Sequence, residues 1–164
     1  EDVRMFSMTL ICMGKLKEKF YISAAEEYKK RLGAFCSFQL LELPEVRLPE
    51  DPNPTQIAQG LSKEAELIRT KIPKGSWLCI FAPEGKGLSS EELAGKLSDL
   101  KKSGKSSACF LIGSSFGVDP ELKKQADFLL SMSRMTFPHH LARVMALEQL
   151  YRAESIQAGT KYHK

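Results

Sequence analysis

The chain has 164 residues, a length that suits one domain, and its 43% of hydrophobic residues are enough for a substantial core. No apolar run approaches the roughly 20 residues that a membrane helix needs, so we expect no membrane span and a cytoplasmic location. The net charge of +4 favours an anionic partner only mildly and does not identify one.

The four cysteines lack the spacing of a disulfide framework or a metal site. Cys12, Cys36, Cys79 and Cys109 form no CxxC pair, and no histidine stands at ligand spacing from any of them. Each lies in an apolar, strand-like run, where cysteine behaves as a small hydrophobic residue. We therefore expect free thiols and no bound metal.

Strand-like and helix-like segments alternate along the chain. The strand-like runs are residues 5–12, 38–43, 77–82, 108–112 and 127–132. Helical patterns cover residues 20–32, 55–72, 89–102, 120–125 and 139–157. This alternation predicts an α/β fold with a five-stranded, mainly parallel sheet covered by helices on both faces. We expect a single domain over residues 1–164, with a tag or disordered segment at 1–7 and a short tail at 160–164.

Two local patterns predict a packed helix face and a flexible loop. Phe20, Ala24, Tyr28 and Leu32 recur every four residues and predict one apolar face of the first helix. The stretch 44–54 contains four prolines and predicts the most flexible loop of the chain.

Ligands of parallel sheets bind beyond the carboxyl ends of the strands, which directs attention to residues 83–88, 113–119 and 133–138. In residues 112–117, IGSSFG, an apolar strand runs directly into glycine and serine. Glycine lets the backbone approach a ligand closely, although a plain strand-to-helix turn is the simpler explanation of this segment alone. The chain lacks both GxGxxG after a strand and GxxxxGK[ST], which disfavours a dinucleotide or nucleoside triphosphate site.

Residues 130–139, LSMSRMTFPH, form an unusually apolar connection. Methionine and phenylalanine side chains can enclose an adenine ring, and a buried connector is the alternative interpretation. His139 follows Pro138 at the start of the last helix, where positive charge is disfavoured and a neutral imidazole is suited to accept a proton. A histidine that only packs at the helix start would have the same sequence pattern.

The end of the chain allows two interpretations. Arg152 lies four residues after Glu148 on the last helix, which predicts an ordinary intrahelical ion pair. The tail contains the basic and aromatic residues of KYHK, which suit contacts to RNA phosphates and bases, but most chain ends have no such role.

Together these segments resemble the ribosomal RNA large subunit methyltransferase H family of the SPOUT superfamily. The resemblance covers nearly the whole chain. It is carried by GKLKEK at 14–19, IGSSFG at 112–117, MSRMTFPH at 132–139, LEQLYRA at 147–153 and YHK at 162–164. Several matches in the same order are much more specific than any one of them.

The resemblance implies a SPOUT α/β fold with a C-terminal trefoil knot, and a homodimer whose pockets lie near the partner chain. It implies S-adenosyl-L-methionine as cofactor and methylation at N3 of a pseudouridine in 23S ribosomal RNA, on the assembled ribosome, without a metal. The alternatives are a knotted methyltransferase of another RNA such as tRNA, and a non-catalytic RNA-binding assembly factor.

The resemblance also assigns residues. The implied cofactor-binding residues are Phe81, Gly113, Met132, Ser133, Arg134, Met135, Thr136 and Phe137. The implied catalytic and substrate-binding residues are His139 as base or orienting group, Arg152 at the uracil-like ring, and Tyr162 and Lys164 from the partner subunit.

Three positions depart from the family pattern. Phe81 replaces an aliphatic residue, Ser114 replaces a second glycine, and Lys164 stands where arginine is frequent.

Overall fold

The computed structural model describes residues 5–164. Five strands alternate with five helices, as the sequence predicts. In chain order they are β1 (Ser7–Met13), α1 (Lys19–Leu32), β2 (Ser37–Leu43), α2 (Pro54–Lys71), β3 (Trp77–Gly87), α3 (Ser90–Lys102), β4 (Ser107–Ile112), α4 (Pro120–Lys124), β5 (Phe128–Ser131) and α5 (His139–Gln157). All paired strands run parallel in the order β2-β1-β4-β3-β5. The implied trefoil knot stays a prediction, because strand order does not specify how the chain is threaded.

Alternate residues of the central strands serve two separate cores, one on each face of the sheet. From β1, Met8, Leu10 and Cys12 pack toward α1, α3 and α5, whereas Ile11 and Met13 pack toward α2 and α4. The predicted α/β layering with helices on both faces is confirmed. Of the helices within residues 5–164, none combines the length and apolar character needed to cross a bilayer.

The chain start and the first helix differ from the simple pattern. Residues 1–4 of the segment expected to be a tag or disordered lie outside the described residues, whereas Phe6 packs against the core and Ser7 begins β1. The predicted apolar row of α1 is not packed at its first residue. Phe20 is 67% exposed, whereas Ala25 and Leu32 further along the helix are buried.

The third strand is longer than predicted. Residues 83–87 were expected to be a loop, but β3 continues to Gly87 after a register shift between Phe81 and Lys86, and it pairs again with β5. The sequence PEGKG has little strand propensity, so this pairing is imposed by the neighbouring strand. Gly85 is required there, because a Cβ would lie 2.7 Å from the carbonyl carbon and oxygen of Leu129.

A buried arginine fixes α5 over the carboxyl ends of β1 and β2. The Arg143 side chain is fully buried, and its Nη1 donates to Oε2 of Glu42 at 2.7 Å. Its Nη2 donates to the carbonyl oxygens of Met13 at 3.1 Å and Gly14 at 3.0 Å. A guanidinium offers five donors in a rigid fork, so one side chain satisfies both strand-end carbonyls and a carboxylate.

We expect Arg143→Met to lower the free energy of unfolding by about 3 kcal/mol, because it leaves the Glu42 carboxylate and two carbonyls without their donor. Urea unfolding at fixed protein concentration measures this loss. The matched control is Arg31→Met, which removes the exposed Arg31–Glu27 pair and should cost at most about 0.5 kcal/mol. Equal, small losses in both variants would contradict a structural role for Arg143.

Candidate active site

One cavity gathers all the predicted cofactor residues. It has a volume of about 410 Å³ and opens at the carboxyl edge of the sheet. Its walls are the end of β3 with Phe81, the loop after β4 beginning at Gly113, the connection 132–137, and the start of α5 with His139 and Ala142. Residues separated by more than 50 positions in sequence therefore share one pocket, as the carboxyl-edge rule predicts.

The loop after β4 closes tightly on itself. A Cβ on Gly113 would overlap the carbonyl oxygen of Gly117 and lie 2.5 Å from Cγ2 of Val118, so only glycine fits. Gly117 has a φ of +95°, in the left-handed region that favours glycine, and its N–H donates to the Ser114 carbonyl at 2.8 Å. Gly113 is thus required by the loop's own backbone, a reason distinct from the expected approach to a ligand.

Ser114, which departs from the family pattern, ties this loop to α2. Its hydroxyl donates to Oε1 of Glu64 at 2.9 Å, and the Val46 N–H donates to Oε2 at 3.1 Å. Glu64 is only 5% exposed, and burial raises the pKa of its carboxyl despite these two hydrogen bonds. One buried carboxylate therefore joins α2, the loop 113–117 and the proline-rich loop 44–53.

Sequence reasoning missed Glu64, although a signal was available. Ile57, Leu61 and Ile68 recur at helical spacing in α2, and Glu64 lies three residues after Leu61 on the same face. A carboxylate in an apolar row is either satisfied by hydrogen bonds or costly to bury, so it indicates a buried polar contact.

His139 is oriented by the end of β1. Its Nε2 lies 3.1 Å from the carbonyl oxygen of Met13, and a carbonyl only accepts, so in this contact Nε2 carries the hydrogen. In the neutral ring Nδ1 is then left as a proton acceptor. Oε1 of Glu45 lies 3.8 Å from the same Nε2. The side chain is 23% exposed and lines the cavity.

The connection 132–137 combines both interpretations of its apolar sequence. Met132 packs against the core, whereas Met135 is 68% exposed at the rim of the cavity. The Ser133 hydroxyl accepts from the Met135 N–H at 3.0 Å, which shapes the turn between them. Methionine at such a rim adapts its shape to an aromatic ligand.

Arg152 and the tail lie far from His139 in the same chain. Arg152 follows His139 by thirteen residues on α5, which corresponds to a distance of about 20 Å along the helix axis. The predicted ion pair is confirmed, with Nη2 of Arg152 2.6 Å from Oε1 of Glu148. The tail folds back onto α5, where the Tyr162 hydroxyl donates to the same oxygen at 3.1 Å and the His163 Nδ1 lies 3.1 Å from Nη1 of Arg152.

The tail contact is partly buried. Burial is the main cause that raises the pKa of Tyr162 to about 12, and its hydrogen bonds to Tyr28 and Glu148 add to the shift. The Tyr162 hydroxyl therefore keeps its proton. Lys164 is exposed at the end of the chain. The four predicted catalytic and substrate-binding residues thus form two groups within one protomer, His139 at the cavity and the others at the far end of α5.

A second cavity of about 490 Å³ lies between α3 and α5 and extends to Glu148. It shares Phe81 and Met132 with the first cavity, so the two adjoin. Within residues 5–164, no three His, Cys, Asp or Glu side chains are grouped as metal ligands.

The buried Glu64 predicts a pH dependence. Because its pKa is raised in the folded protein from the ordinary value of 4.5, the folded state holds the proton more tightly than the unfolded chain. The stability of wild type relative to Glu64→Gln should therefore fall as pH rises above 4.5. Urea unfolding of both proteins between about pH 4 and 7 measures the difference.

Glu84→Gln is the matched control for that titration. Its hydrogen bond from Lys123 lowers the pKa of the Glu84 carboxyl, so wild type should gain stability relative to this variant as pH rises. If the stability difference from wild type changed with pH in the same direction for both variants, burial of Glu64 would not govern its ionisation.

Comparisons with known proteins agree with this geometry. A family model described as "Predicted SPOUT methyltransferase" matches residues 6–163. A "Ribosomal RNA large subunit methyltransferase H" of Bifidobacterium adolescentis is 46% identical over 157 residues, covering 96% of this chain and 99% of the relative. The protein of the same name from Moorella thermoacetica is 42% identical, covering 98% and 100%.

A tRNA (m1G37) methyltransferase structure from Aquifex aeolicus is similar in fold, with a TM-score of 0.57, 14% identity, and coverage of 96% of this chain and 73% of that one. From the family match over nearly its full length and the identity to these relatives, the chain belongs to the SPOUT methyltransferase family.

Proposed function

We propose that this protein transfers the methyl group of S-adenosyl-L-methionine to N3 of a pseudouridine in 23S ribosomal RNA, acting in the cytoplasm on the assembled large subunit. The observation that carries the proposal is the single cavity in which all eight predicted cofactor residues meet beside His139. Relatives that are more than 40% identical along nearly their whole length and named as large-subunit rRNA methyltransferases support the substrate class.

The residues of the cavity suit the cofactor. Phe81, Met132 and Phe137 provide apolar surface for an adenine ring, and the loop beginning at Gly113 provides backbone groups for polar contacts. A volume of about 410 Å³ lies within the range of small-molecule sites. When bound, the sulfonium supplies an electrophilic methyl group, so the reaction needs no metal to activate it.

His139 is the proposed base, or an orienting group, for the proton that the reaction releases. Methylation at N3 of pseudouridine requires that N3 lose its proton, and Nδ1 of His139 would accept that proton. The contact from Nε2 to the Met13 carbonyl keeps Nδ1 available for that transfer. Arg152 would orient the uracil-like ring through its carbonyl oxygens, and Lys164 would make a point-charge contact to phosphate.

This assignment requires two copies of the chain. About 20 Å of helix separates His139 from Arg152, too far for both to contact one nucleoside in a single protomer. Every residue of α5 is buried or half-buried, and Leu141, Val144 and Met145 keep apolar surface that the protomer does not fully cover. Because these apolar side chains are only partly covered on a helix with no exposed residue, we propose a homodimer that brings Arg152, Tyr162 and Lys164 to the partner's cavity.

The proposed reaction is tested by mass spectrometry of ribosomal RNA nucleosides. Cells that lack the gene should lose 3-methylpseudouridine, wild type should restore it, and His139→Ala should not. The purified His139→Ala protein should still bind S-adenosylmethionine in calorimetry, because the imidazole is assigned to proton transfer. Unchanged 3-methylpseudouridine in the deleted strain, or a new methyl mark in tRNA instead, would refute the proposed substrate.

Mixed dimers test whether each site is shared between subunits. His139→Ala and a variant lacking residues 162–164 should each transfer little methyl. Co-folding the two should restore activity, because each mixed dimer contains one site with an intact His139 and an intact tail from opposite chains. Restoration at equal total protein supports the shared site, whereas no gain over the separate variants would place both groups in one chain.

A further inference from the structure

Residues 14–20, which comprise the connection from β1 to α1 and the first two residues of α1, carry the family signature GKLKEK but have no role in the site proposed above. Their backbone is held firmly at the carboxyl edge of the sheet. The Gly14 carbonyl accepts from Arg143 at 3.0 Å, and the Leu16 N–H donates to Oε2 of Glu42 at 3.1 Å. The side chains of this segment are therefore displayed from a fixed position close to His139.

The charge that the segment displays is positive. Lys15, Lys17 and Lys19 are exposed, and within residues 5–164 none of the three forms an ion pair. Glu18 is the one acidic residue of the segment, and its carboxylate is directed to His140, with Oε2 3.4 Å from Nδ1. Three cations thus face solvent while the single carboxylate is engaged.

An aromatic ring stands beside these cations. Phe20 is 67% exposed in the first turn of α1, although the spacing of apolar residues predicts it on the packed face. Its ring centroid lies 4.4 Å from that of Tyr21, and the Tyr21 ring meets the edge of His140 at 6.2 Å. The His140 ring lies 5.5 Å from His139, so a short series of rings leads from Phe20 to the active site.

We propose that Lys15, Lys17, Lys19 and Phe20, the lysine–aromatic patch, dock the single-stranded RNA nucleotides that flank the methylated nucleoside. Phe20 stacks on an unpaired base, and the three ammonium groups contact phosphates. This inference rests on the proposed RNA methylation and adds the surface that positions the substrate.

The composition of the patch favours RNA over a second copy of the chain. The cores of subunit interfaces are depleted in lysine, whereas single-stranded RNA is held by stacking on exposed aromatic rings together with cationic contacts to its backbone. Contacts of this kind beside the cavity would add to the affinity for the RNA strand.

The test measures methyl transfer to ribosomes isolated from cells that lack the gene. Phe20→Ala should raise KM for ribosomes about tenfold with little change in kcat, and Phe20→Trp should keep the wild-type KM because it still stacks. Replacing Lys15, Lys17 and Lys19 together by Gln should raise KM and reduce the salt dependence of binding, with a slope lower by about 2. Calorimetry should give wild-type affinity for S-adenosylmethionine in all these variants.

A matched control replaces Lys71, Lys74 and Lys102 by Gln. These lysines are also exposed, but they lie at the amino ends of the strands, on the opposite edge of the sheet, and KM should not change. Binding of every variant to the same ribosomes is measured in parallel without methyl donor, so the patch is judged even if wild type transfers no methyl group.

The outcomes separate the two proposals. Methyl transfer that fails in wild type counts against the proposed function. Wild-type ribosome binding by Phe20→Ala overturns the patch. A fall in molecular mass of Phe20→Ala in sedimentation equilibrium also overturns it, because Phe20 would then be a subunit contact.

Discussion

The contact between Arg143 and the ends of β1 and β2 sets the geometry on which the rest of the site depends. The carbonyls of Met13 and Gly14 lie where the sheet stops, and without a donor they would be buried polar groups of substantial cost. A fully buried guanidinium on α5 satisfies both and neutralises its own charge with Glu42. The same contact sets the position of α5 one turn after its start, and hence that of His139, which uses the Met13 carbonyl as well.

A second buried ionisable side chain, Glu64, performs a similar task beside the loop after β4. Glu64 receives hydrogen bonds from Ser114 and Val46, and it thereby joins α2 to two loops. The serine that departs from the family pattern is accommodated without strain, since no residue other than glycine has a positive φ within residues 5–164. Charged side chains thus hold loops at the edge of the sheet where apolar packing ends.

The long helix α5 links these features to function. Its first turn lines the cavity, its middle is buried against α1 and α3, and its last turns carry Arg152 and receive the tail. The proposed base His139 and the proposed substrate contact Arg152 therefore lie about 20 Å apart along one helix. Such a helix serves a single reaction most simply when two copies lie side by side, because each end then reaches the partner's opposite end.

Local sequence determined the alternation of strands and helices, the bounds of α5 and the Glu148–Arg152 pair, because these depend on spacing and nearest neighbours. Motif order also identified the loops that form the cavity. Tertiary structure alone decided the extension of β3, the exposure of Phe20, the partners of Glu64 and the fold-back of Tyr162. Each of these depends on a group distant in sequence or on the path of a neighbouring strand, and periodicity within one segment carries no information about either.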